Sequence, residues 1–162
     1  MAKSVYSPKE LSTFMMVAER VMGAYLRLPK NKGTTRRGGA LTIMDAANGL
    51  PLLIFPVGEL AQEKVFKYFK LSLEKAERVY NTGQRTSRVT RDPEKGLWGG
   101  AVRIGGIIIS FSGLPELDDE AFGMAFAVIC RMTNRADILQ KNDNAEIEST
   151  FRDVIHLLET AR

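Results

Sequence analysis

The sequence predicts an α+β fold, an antiparallel sheet with helices packed against it, and three observations carry that prediction. Two glycine turns, Asn48-Gly49 and Gly105-Gly106, each join a pair of strand-like apolar runs. Four other segments repeat apolar residues at helical spacing. The resulting order, helix, hairpin, helix, loop, hairpin, helix, helix, sets antiparallel strand pairs between helices, and such elements close into a layered α+β sandwich.

The first helix is expected to begin at Ser7-Pro8-Lys9-Glu10, with serine at the N-cap, proline at N1 and glutamate at N3. Its apolar stripe is Leu11, Phe14, Met15, Ala18, Val21, Met22, Tyr25 and Leu26, and it should stop near Leu28 because Pro29 disfavours helical geometry in the residue before it. A basic, glycine-bearing loop over 29–39 leads to a short strand at 40–43, a turn at 45–49 and a returning strand at 50–57. Two prolines in that strand, Pro51 and Pro56, suit an edge position.

A second helix over 58–80 should bury Val65, Phe66, Phe69, Leu73, Ala76 and Tyr80. Its solvated side should carry Lys64, Lys67, Lys70, Glu74, Lys75, Glu77 and Arg78. The polar segment 81–95 reads as a long surface loop, a type often functional. Strands follow at 97–104 and 106–111, the β-branched run Ile107-Ile108-Ile109 marking a strand buried on both faces. Asp118 or Asp119 is expected to cap a third helix to about residue 131, and a fourth helix covers about 145–160.

The chain has 162 residues, close to the usual length of one domain, and is read as a single domain over 1–162. Hydrophobic residues at 44% and charged residues at 26% are ordinary for a globular chain. A net charge of +4 favours anionic partners. Cys130 is the sole cysteine, which excludes an intramolecular disulfide and a thiolate zinc cluster. The start of the chain lacks a signal-like apolar segment, and no apolar run approaches the roughly 18–20 residues that span a bilayer. The expectation is a cytoplasmic protein without membrane association.

The segment 99–113 holds five glycines in fifteen residues, where a missing Cβ lets a ligand or another backbone approach closely. It is neither a dinucleotide fingerprint nor a P-loop, because no Gly-x-Gly-x-x-Gly opens a helix and no Gly-Lys-Ser/Thr occurs. Five pieces occur in order: Ile43-Met44-Asp45-Ala46-Ala47-Asn48-Gly49, Glu74-Lys75-Ala76, Gly99-Gly100, Gly105-Gly106 with Ser110 to Gly113, and Asp119-Glu120-Ala121. Over about 42–127 this order resembles the GlcG/HbpS-like family, also called the haem-degrading or DUF336 family. The resemblance implies a profilin-like fold, a homo-oligomer, and haem or another corrinoid or tetrapyrrole as ligand. The helix at about 145–160 extends beyond the family-like core.

Haem iron takes histidine, cysteine, methionine or tyrosine. His156, the only histidine, falls on the solvated side of its helix, and Cys130 falls among apolar residues as a buried, inert thiol. No metal ligand and no catalytic residue is assigned, since a single histidine without an indicated carboxylate partner makes no triad. Glu116, Asp118, Asp119 and Glu120 read as a helix cap that favours the dipole. Two basic stretches, one around Arg36 and Arg37 and one including Arg85, Arg88 and Arg91, lack interleaved aromatics or a reading helix, so nucleic acid is not expected. The candidate ligand-binding residues are Lys75, Arg85, Ser87, Arg88, Gly99, Gly100, Ser110, Ser112 and Gly113. They fit a small-molecule binding or sensing module for an anionic ligand, haem or a corrinoid by resemblance, acting as an oligomer. The alternative is a non-catalytic scaffold or regulatory interaction domain.

Overall fold

Ser7 opens the first helix as its neighbours dictate. Its hydroxyl accepts the Glu10 N–H at 3.3 Å while the Glu10 carboxylate accepts the Ser7 N–H at 2.7 Å, a capping box that holds the Glu10 carboxyl below its usual range. Ser7→Ala is expected to cost about 1 kcal/mol, read as a lower urea midpoint at unchanged slope. The structure is a computed structural model describing residues 6–161. Residues 1–5, on which the reading of the chain's start partly rests, lie outside the described residues.

Helix α1 runs Pro8–Leu26 and hands over to strand β1, Gly38–Asp45, and its hairpin partner β2, Pro51–Gly58. At the turn, Gly49 has φ +71°, and a Cβ there would sit 2.6 Å from the Tyr80 ring, so the site requires glycine on two counts. Helix α2 spans Gln62–Thr82, strands β3 and β4 span Ala101–Ile104 and Ile107–Ser112, and α3, α4 and α5 span Glu116–Ile129, Arg135–Lys141 and Ala145–Thr160.

The strands form one antiparallel sheet in the order β2-β1-β4-β3. The proline-bearing β2 is at an edge and the isoleucine-rich β4 is central, as their sequences require. Alternation then divides the core. Leu41, Ile43, Ile109 and Phe111 join α1, α3 and α5 on one face, while Met44, Ala101 and Ile108 join Ala76 and Val79 of α2 on the other. The α+β class and its antiparallel sheet agree with the sequence.

Four expectations are corrected. Phe66, placed in the buried stripe of α2, is 69% exposed, whereas Lys75, placed on the solvated side, is 2% exposed. Arg78, also read as solvated, turns under the 81–95 segment and donates to the carbonyls of Ser87 (2.6 Å), Thr90 (3.0 Å) and Trp98 (2.5 Å). That segment is therefore tied down and contains two short 3₁₀ turns, Ser87–Thr90 and Pro93–Lys95. Neither Asp118 nor Asp119 caps α3. Pro115 holds the N-cap, and both aspartates are buried one turn in.

Asp118 accepts hydrogen bonds from Tyr25 (2.6 Å), Lys30 (2.7 Å) and Thr150 (3.2 Å), joining α1, α3 and α5. Helix α4 was not anticipated at all. The apolar stripe of α5, Ile147, Phe151, Val154, Ile155 and Leu158, is spent inside the core against α1 and α3. Among the described residues no helix is long and apolar enough to cross a membrane.

Candidate functional site

Helix α2 supplies one wall of a cleft of about 520 Å3, within the range of small-molecule pockets. Lys67, Leu71 and Lys75 are four residues apart and so share one helical face, with Tyr68 beside them. Opposite stand Arg91, Gly96 and Trp98 from the segment that Arg78 tethers. The end of β4 and the start of α3 close the floor with Ser112, Gly113, Leu114, Glu116 and Asp119, and Arg36 joins from the loop before β1.

Charge is distributed unevenly around this cleft. Arg91 is neutralised by Glu116, 2.5 Å away, whose other oxygen accepts the Gly99 N–H at 3.0 Å. The Arg91 guanidinium also lies 5.6 Å from the Trp98 ring centre, a cation–π distance. Arg36 and Lys67 have no carboxylate partner among the described residues and are exposed. Trp98, in the same lining, is 39% exposed, so part of an aromatic ring meets solvent in the cleft.

Beneath them lies a buried ion pair. Lys75 Nζ donates to Asp119 Oδ2 and to the Phe111 carbonyl, each at 3.0 Å, and the Leu114 N–H donates to Asp119 Oδ1 at 2.8 Å. Burial pushes the Asp119 carboxyl up to about 7, against the pull of Lys75 and the Leu114 N–H. The two partners belong to helices on opposite faces of the sheet, and they meet at Gly100. A Cβ on Gly100 would come within 2.8 Å of Lys75 Nζ, Asp119 Cβ and the Phe111 carbonyl oxygen. The glycine thus leaves the opening through which the pair forms.

The sequence candidates divide into two groups. Lys75, Ser112 and Gly113 line the cleft, Gly100 lies against its floor, and Gly99 orients Glu116. Ser112 is the last residue of β4, and its hydroxyl makes no hydrogen bond among the described residues. Ser110 is fully buried and its carbonyl accepts from Ser72 at 3.1 Å. Ser87 is buried too, its hydroxyl accepting the Ala101 N–H at 3.0 Å.

Arg85 and Arg88 do not line the cleft. Arg85 donates to the Lys141 carbonyl, and Arg88 bridges Asp143 (2.7 Å) and the buried Glu120 (3.3 Å), whose carboxyl burial pushes up. Cys130 lies on a separate groove beside Tyr6 and Met132, its thiol pushed up to about 12 by burial. His156 is on the exposed side of α5. The polar and aromatic cleft members that sequence reasoning passed over as site residues are Arg36, Lys67, Tyr68, Arg91, Trp98, Glu116 and Asp119. The spacing 67–71–75 was the available signal for the α2 wall.

No family model and no curated protein matches the sequence. Among solved structures, the Klebsiella pneumoniae protein ORFY, described as DUF336, is 17% identical with a TM-score of 0.46, over 72% of this chain and 88% of that one. The Ybr137w protein is also 17% identical, with a TM-score of 0.49, over 82% of this chain and 81% of that one.

The haem that the family resemblance implies does not fit the cleft. Tyr68 is the single iron-ligand type in its lining, and an ion pair occupies the floor where a tetrapyrrole needs an apolar wall. Among the described residues no group of three or more histidine, cysteine, aspartate or glutamate side chains is arranged to hold a metal ion.

Proposed function

We propose that the protein is a binding module for a small organic anion with a flat apolar body, seated in the cleft between α2 and the 91–98 segment. The observation that carries this reading is that Arg36 and Lys67, two exposed cations with no carboxylate partner among the described residues, line one cleft with the part-exposed Trp98. Cations at a cleft mouth draw anions inward by focusing the field. The ring of Trp98 and the side chains of Tyr68 and Leu71 offer apolar area for the body of the ligand.

Trp98 is the only tryptophan, so its fluorescence reports on this cleft alone. Titration with 2-naphthoate is expected to change that fluorescence saturably. The double variant Arg36→Glu with Lys67→Glu should weaken binding by about tenfold or more, equivalent to about 1.4 kcal/mol. Equal affinity in the variant, or a change that never saturates, sinks the reading. Haemin is expected to give no saturable Soret shift.

A further inference from the structure

Lys75 is an ammonium with three N–H donors. Two are taken, by Asp119 and by the Phe111 carbonyl, and the third has no acceptor among the described residues although the side chain lines the cleft. The next residue after Phe111 is Ser112, and strand alternation turns its side chain to the α2 face, the side from which Lys75 comes. Its hydroxyl is a second polar group on the floor without a partner among the described residues, in a residue only 3% exposed.

We propose that the cleft floor is a carboxylate subsite, in which a ligand carboxylate oxygen accepts the free N–H of Lys75 and the hydroxyl of Ser112. The inference rests on the cleft being the binding site and adds the class of ligand, an aromatic or other flat carboxylic acid bound head-down. Its ring lies along Tyr68, Leu71 and Trp98, with Arg36 and Lys67 above. The floor also couples binding to a proton. Asp119 is faced by Lys75 from α2 and by Asp118 on its own helix. The Arg91–Glu116 pair and the rim cations Arg36 and Lys67 line the same cleft. An arriving carboxylate favours the neutral form of Asp119, because like charges in a buried site disfavour ionisation. Naphthoate therefore binds more tightly at pH 6 than at pH 8.

The test uses the full chain and its Ser112→Ala variant, with 2-naphthoate and 2-naphthylmethanol as probes and Trp98 fluorescence as the signal. Wild type is expected to prefer the carboxylate by about tenfold or more. Ser112→Ala should lose about tenfold in naphthoate affinity, the scale of a hydrogen bond to a charged group, with the alcohol unchanged. Equal binding of the two probes, an unaffected Ser112→Ala, or a flat pH profile each overturns the subsite. If the rim variant weakens naphthoate binding while Ser112→Ala does not, the binding module stands and the subsite falls. If naphthoate does not bind at all, both fall.

Discussion

Gly100→Ala is expected to destabilise the protein by about 2–6 kcal/mol, combining positive-φ strain with overpacking. Gly100 has φ +126°, a conformation that L side chains rarely adopt. The added Cβ would meet Lys75 Nζ, Asp119 Cβ and the Phe111 carbonyl oxygen at 2.8 Å each. The lysine end can shift, but the carbonyl cannot, because the Phe111 N–H is bonded to the Gly100 carbonyl at 3.0 Å in the same ladder. Moving Lys75 breaks its hydrogen bond to Asp119, so any relief costs the ion pair. Gly105→Ala is the internal control. It has φ +56° but nothing within 4 Å of the new atom, and should lose only left-handed strain, about 1–2 kcal/mol. Urea unfolding of both variants decides the matter. Equal losses would mean that Gly100 supplies backbone freedom and not space between the two helical layers.

The parts of this fold that could be read from the sequence are those whose causes lie close together along the chain. The capping box at Ser7, the Asn48-Gly49 turn and the stripe of α5 each depend on residues within a turn or two, and each stands as read. The β4 isoleucines announced a buried strand because that choice is made by the strand itself. Lys75 and Arg78 were misread for the opposite reason. Helical periodicity marks apolar residues, and a cation is buried only where a distant group compensates it. For Lys75 that group is Asp119, 44 residues away; Arg78 pairs with Glu74 on its own helix, but what draws it inward is a set of carbonyls in a loop with no period. Helix α4 has seven residues and no stripe, its signal being the Asn134 side chain that accepts the Asp137 N–H. The cleft itself draws on five separate segments, so a linear reading found Lys75, Ser112 and Gly113 without their neighbours Trp98, Lys67 and Arg36.

The Lys75–Asp119 pair should show opposite pH behaviour when cut from its two ends. Asp119→Asn keeps the side-chain volume and removes the titrating carboxyl that faces Lys75, a lysine only 2% exposed. The Asp119 carboxyl has a folded value of about 7, above the roughly 3.9 of an unfolded aspartate. A group raised on folding contributes stability that is fully present below its unfolded value and is lost as pH rises through its folded value. Wild type therefore loses this contribution between about pH 4 and pH 7, and Asp119→Asn has none to lose. The stability gap between them should narrow as pH rises from 5 to 7. Lys75→Met keeps the volume but removes the cation that pulls the carboxyl down, so Asp119 must stay protonated to still higher pH. The gap between wild type and Lys75→Met should then widen from pH 7 to pH 8, as wild type completes its titration and the variant does not. Urea denaturation at pH 5, 6, 7 and 8 measures both gaps. Parallel pH profiles for all three proteins would mean that Asp119 is ionised throughout, and that the pair is a fixed strut across the sheet and not a group able to take up a proton.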